Sequence, residues 1–182
     1  MAQSQHDVEG FLVRLNGESP RARILLEAGL LEELLRAAIL KRLATNKSSE
    51  ELFGKGSVLG MTTLTKYAHA LGLIGDKELD AMKKFAKARN LIAHAWQQDF
   101  NQLPMQKIAN SIQLISIVGE ADMDAHQRCF AKLDYLGIYL IEELVERFSR
   151  IPPTIFDGAV FITNLIVDPK SGSRIKKVVA TQ

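Results

Sequence analysis

The run from Arg21 to Ala44 contains no proline and one glycine, Gly29, and it opens on Ser19-Pro20. A serine cap followed by proline at the first helical position predicts a helix start, and nothing downstream ends the helix for six turns. Its apolar residues, Ile24, Leu25, Leu26, Leu30, Leu31, Leu34, Leu35, Ile39 and Leu40, cover far more than one stripe. A helix of that kind must be surrounded by neighbours or by a second subunit, so it is expected at the centre of a helical bundle.

The remaining segments read as shorter helices around it. Val8, Phe11, Leu12 and Leu15 fit a peripheral amphipathic helix ended by Asn16-Gly17. Residues 45–62 mix polar residues with three glycines and predict a loop, with one turn begun by a Ser48-to-Glu51 capping box. Thr63 to Leu71 predicts a helix closed by Gly72, and Asp76 caps another that runs through Leu79, Met82, Ala86 and Ala93 towards Trp96. After Pro104, the residues Ile108, Ile112, Leu114 and Ile115 suggest a further helix. Met123 to Arg150 is the clearest of all, with Cys129, Leu133, Leu136, Leu140, Leu144 and Phe148 on its apolar face and Pro152-Pro153 as its stop.

The expected fold is therefore all-α, a bundle of about five to six helices over residues 1–150. Residues 151–182 change character. Val160, Phe161, Ile162, Leu165, Ile166 and Val167 precede a turn-like Asp168-Pro-Lys-Ser-Gly-Ser and then Ile175, Val178 and Val179, which predicts a C-terminal arm or short β-hairpin.

Charge narrows the function classes. The net charge is +2, too small to indicate nucleic acid or an anionic membrane as partner. Past Pro152 two acidic residues, Asp157 and Asp168, face four basic ones, Lys170, Arg174, Lys176 and Lys177, so the tail carries the excess. The single cysteine, Cys129, excludes an internal disulfide and fits a reducing cytoplasm. Its neighbours Phe130 and Leu133 suggest an inert core thiol. No signal peptide is read at the N-terminus, and no apolar run approaches the about 18 residues that a membrane span needs.

The segment Lys87-Ala-Arg-Asn-Leu-Ile-Ala-His-Ala-Trp96 is the most informative for chemistry. Asn90 and His94 are four apart and share a helix face, while Arg89 lies about a quarter turn away and must reach round. For metal-independent RNA cleavage, His94 would move a proton to or from a ribose hydroxyl or leaving oxygen, Arg89 would hold the phosphate, and Asn90 would orient the imidazole. Two copies across a dimer axis would complete such a site. The alternative is structural: Arg89 and Asn90 satisfy carbonyls near the helix end, and His94 packs under Trp96. His6, His69 and His126 lack partners at metal-ligand spacing, so no metal is expected. Glu120, Asp122 and Asp124 read as an acidic helix start. No phosphate-binding loop, dinucleotide fingerprint or nucleophile elbow is present, and no cofactor is expected.

Thr63 to Ala88 also has the form of a helix-turn-helix. Its second helix opens with Asp76, Glu78 and Asp80, where DNA reading needs donors, so direct DNA recognition is disfavoured and a packed helix pair is expected.

Taken together, Arg21-Ala-Arg-Ile-Leu-Leu-Glu, Gly56-Ser-Val-Leu-Gly60, Lys66-Tyr-Ala-His-Ala-Leu-Gly-Leu-Ile74, Asp80 and Arg89-Asn-Leu-Ile-Ala-His94 resemble the mannitol operon repressor family over a little under half of the chain. That resemblance implies a small all-helical protein associated with negative regulation of sugar-alcohol operons, without a standard DNA-binding fold. The stretch from Arg89 to His94 is also similar to the Arg-x(4–6)-His signature of HEPN domains, helical bundles that dimerise and in many members cleave RNA. This second resemblance implies Arg89, Asn90 and His94 as a ribonuclease triad. The regulator reading expects a homodimer whose partner is another protein, reached through apolar helix faces and the C-terminal arm. The enzyme reading expects RNA as substrate at a dimer interface. The regulator reading is preferred because its resemblance is longer.

Overall fold

A computed structural model of the chain describes residues 10–43, 47–54, 56–94, 100–150, 162–167 and 174–178. Among them the helices are α1 (10–15), α2 (Pro20–Arg42), α3 (Lys47–Phe53), α4 (Met61–Ala70), α5 (Asp76–His94), α6 (Leu103–Asn110) and α7 (Ala125–Arg150). Three strands accompany them, β1 (Ile115–Ile117), β2 (Ile162–Val167) and β3 (Arg174–Val178). The protein is a helical bundle with a small strand arm, as its periodicity predicts.

Helix α2 begins as its first residues require. The Ser19 hydroxyl accepts from the Ala22 N–H at 3.3 Å, and Pro20 occupies the first turn, where a missing N–H costs nothing. The helix packs against α3, α4, α5 and α7 of the same chain. Ile24, Ala28, Leu31, Leu35, Ala38 and Ile39 are buried, Leu25, Leu30, Leu34 and Leu40 are half-buried against them, and Leu26 is exposed.

Two charged locks fasten α7 to the bundle. Arg23 on α2 binds Asp134 in a forked pair, Nε to Oδ1 at 2.6 Å and Nη2 to Oδ2 at 2.8 Å, with its guanidinium 5.7 Å from the centre of the Phe130 ring. Arg147 binds Glu78 on α5 at 2.5 and 2.8 Å. Glu78 uses the same carboxylate to accept from the Gly75 N–H at 2.8 Å, so it also seals the start of α5.

The helix ends carry their expected punctuation, with some reassignments. Gly72 takes φ +69, which lets Leu73 N–H reach Ala68 O at 2.8 Å and Gly72 N–H reach His69 O at 2.9 Å, a Schellman closure of α4. Asp76 lies within the first turn of α5 rather than capping it, and its carboxylate meets His69 Nε2 at 2.8 Å across the turn. Asp124 caps α7: its carboxylate accepts from Gln127 N–H at 2.7 Å while the Gln127 side chain accepts from Asp124 N–H at 3.3 Å.

Two sequence expectations are corrected. The 45–62 segment contains a helix, α3, and Ser48 sits inside it rather than at a capping position. The helix expected from Pro104 to Ile115 stops at Asn110, and Ile115–Ile117 is a strand. Apolar residues that read as a helical stripe there alternate instead, with Ile115 and Ile117 buried and Ser116 exposed.

The partner of that strand comes from beyond α7. β1 pairs parallel with β2, Ile115 opposite Leu165 and Ile117 opposite Val167, so β1, α7 and β2 form a crossover unit. β2 and β3 form the antiparallel pair expected of a hairpin, Ile166 opposite Ile175, with an irregularity between Ile162 and Asn164. The Pro152-Pro153 stop, Trp96 and the turn at 168–173 lie outside the described residues.

Candidate functional site

Helix α5 presents the three residues singled out by the sequence. Its buried side, Ala81, Met82, Phe85, Ala86, Ala88 and Ile92, faces the core, which leaves Lys83, Lys87, Asn90 and His94 along the outer face. Arg89 lies at the boundary, half-buried, and Asn90 and His94 are exposed.

Arg89 and Asn90 are brought together. Arg89 Nη1 donates to Asn90 Oδ1 at 3.0 Å, and Arg89 Nη2 lies 3.6 Å from Glu32 Oε1 on α2. Glu32 Oε1 also accepts from the Met61 N–H at 3.1 Å. One carboxylate therefore closes the start of α4 and holds the guanidinium of α5, tying three helices at one point. His94 stands four residues beyond Asn90 in the last turn, and among the described residues no hydrogen bond joins the two side chains.

This arrangement differs from both local readings of the segment. Asn90 oxygen is turned to Arg89 rather than to the imidazole, and Arg89 meets a carboxylate rather than helix-end carbonyls. The guanidinium that reaches an end carbonyl of α5 is Arg21, whose Nη2 donates to Ile92 O. Whether His94 packs under Trp96 falls on a residue outside the described set.

The acidic start of α5 is explained residue by residue. Glu78 is buried in its pair with Arg147, Asp80 holds Lys84 at 2.6 Å, and Asp76 meets His69. Cys129 is buried on α7, as its apolar neighbours suggest, and His126 stands edge-on to Phe100 with ring centres 5.4 Å apart. Among the described residues no three His, Cys, Asp or Glu side chains are grouped as metal ligands would be.

Sequence reasoning missed the surroundings of α5. Two open grooves flank its outer ridge. One, between α4 and α5, is lined by Thr62, Lys66, Lys83, Lys87, Asn90 and Leu91. The other, between α5 and α6, carries Lys84, Lys87 and Lys107 around Leu91, Leu103 and Ile108. Lys83, Lys84 and Lys87 lie close together on α5, but Lys66 on α4 and Lys107 on α6 are single lysines on their helices. Only their packing makes one cationic face.

No family model, no curated protein and no solved structure matches this chain. Among the described residues no helix is long and apolar enough to cross a membrane.

Proposed function

We propose that the protein is a regulator of the mannitol operon repressor type, which lowers transcription through contacts with another protein rather than through a standard DNA-binding motif. The supporting observation is the pairing of Glu78 with Arg147. The α4–α5 pair is the segment with helix-turn-helix form, and the first turn of its second helix is bonded into the bundle through a buried carboxylate. A recognition helix needs that turn free, with donors aimed at base edges. Arg89 adds support, since its guanidinium faces Glu32 and Asn90 of its own chain.

Transcript profiling of cells with and without the protein tests this reading, followed by titration of the purified protein against promoter DNA of any operon that changes. The expected result is increased transcription of a small set of operons in its absence, with no salt-sensitive shift of the DNA by the protein alone. Unchanged transcripts would overturn the proposal. So would cleavage of labelled single-stranded RNA in EDTA that is lost in both His94→Ala and Arg89→Ala, which would establish the ribonuclease reading instead.

A further inference from the structure

The two grooves beside α5 share Lys87 and Leu91, and together they gather Lys66 from α4, Lys83, Lys84 and Lys87 from α5, and Lys107 from α6. Among the described residues no carboxylate lines either groove. Lys84 is held by Asp80 and by the Ser111 carbonyl at 2.6 Å each, whereas Lys66, Lys83, Lys87 and Lys107 are exposed and form no ion pair with a carboxylate of the described residues. A cluster of like charges without local countercharge is costly to keep, and an anionic partner relieves that cost.

The floor between these cations distinguishes among anions. Leu91, Leu103, Pro104 and Ile108 are aliphatic or cyclic, and Leu103 is 62% exposed at the start of α6. Single-stranded nucleic acid is gripped by aromatic rings that stack on bases and by arginine forks on phosphates, and among the described residues neither lines these grooves. An aliphatic trough edged by lysines complements a helix with leucine-type residues on one face and carboxylates on its flanks.

We propose that this face of α4, α5 and α6 is a docking surface for an acidic amphipathic segment of a partner protein, an inference that rests on the regulatory reading above. The apolar face of the segment covers Leu91, Leu103 and Ile108, and its carboxylates lie against Lys66, Lys83, Lys87 and Lys107. The charges speed encounter and set orientation, while the aliphatic contact supplies the part of affinity that persists in salt.

The probe is a fluorescein-labelled synthetic helix of about four turns, with leucine at i, i+3, i+4 and i+7 and glutamate elsewhere, titrated into the full chain by anisotropy. Binding is expected to weaken about tenfold or more in Lys66→Glu/Lys87→Glu/Lys107→Glu, and to weaken in Leu103→Asp, with Lys41→Glu unchanged. All these positions are exposed, so thermal melts should match wild type. A scrambled peptide of equal charge should bind less well. Equal binding of the probe to wild type and the triple variant, or no binding at all, overturns the proposal. A uridine-rich RNA strand that binds the same lysines more tightly than the peptide also overturns it, in favour of nucleic acid. Transcripts unchanged in cells lacking the protein would remove the regulatory reading alone, because the peptide titration measures the surface independently.

Discussion

The carboxyl group of Glu27 on α2 fills the space that a Cβ on Gly137 of α7 would occupy, with the Phe85 ring tip also 2.9 Å from that point. Gly137 is thus a notch in an otherwise apolar helix face, cut to admit a buried acid. Alanine normally stabilises a helix interior relative to glycine by about 1 kcal/mol. Here Gly137→Ala should reverse that sign and destabilise the protein by about 1–3 kcal/mol, the usual cost of overfilling a core. Urea denaturation of Gly137→Ala, Glu27→Ala and the double variant checks the cause. The double variant should recover the part of the loss that the carboxyl causes, leaving the part due to the Phe85 ring tip.

Glu27 is itself under electrostatic pressure. Its side chain is fully buried beside the carboxylate of Asp134. Burial pushes its pKa well above the ordinary carboxylate value, the negative charge of Asp134 and a hydrogen bond with that carboxylate add to the rise, and Arg23 opposes it. The folded state therefore favours the protonated acid. Its contribution to stability is complete at pH values below the carboxylate pKa of the unfolded chain, about 4.3. It is lost as pH rises from there through the raised folded value. Glu27→Gln keeps the shape and removes the titration. Relative to wild type, the variant should gain melting temperature progressively from about pH 4 to pH 7. A constant difference across that range would show that Glu27 does not titrate as described.

The Glu78–Arg147 lock is the costliest polar feature to break. Both side chains are nearly buried, with 4% and 13% of their surface exposed, and Glu78 additionally satisfies the Gly75 N–H. Removing Arg147 leaves the buried Glu78 charge without its cation and should destabilise by about 3–5 kcal/mol, whereas Glu78→Ala should cost less because Arg147 keeps Glu143 at 3.7 Å. Replacing both with apolar residues of similar volume should cost much less than the two single losses combined. Chemical denaturation of the three variants reads this out, and additive losses would contradict the pairing.

Arg89 and Glu32 form a looser contact at 3.6 Å, with 32% and 19% of the side chains exposed. Solvent screening limits its worth, so a double-mutant cycle should give a coupling below about 1 kcal/mol. Glu32→Ala should lose more than Arg89→Ala because it also uncovers the Met61 N–H at the start of α4. His94→Ala removes an exposed side chain and should change stability by less than about 0.5 kcal/mol. These values separate folding from activity. If the variants stay folded and RNA cleavage is present in wild type but absent from them, the role of the segment is chemical.

The helical content was legible because its signals are local. Ser19-Pro20, Gly72 and the 3.6-residue repeat from Cys129 to Leu144 each act within one or two turns, so neighbouring residues suffice to read them. Ile108, Ile112 and Ile115 misled for the same reason. Their spacing fits a helix, but the hydrogen bonds that make Ile115–Ile117 a strand come from Leu165–Val167, on the far side of α7. No local rule reports a partner fifty residues away.

The sequence by itself determined that the chain folds as helices around a central apolar rod, since cap chemistry and periodicity are properties of consecutive residues. It also placed Arg89, Asn90 and His94 on one stretch of helix. Only tertiary structure decided what those residues meet: Glu32 takes the guanidinium of Arg89, Gly137 makes room for Glu27, Arg147 neutralises Glu78, and lysines from three helices become one surface. The physical reason is range. Propensity acts along the backbone, whereas charge pairing and steric fit act through space and exist only once the helices are packed.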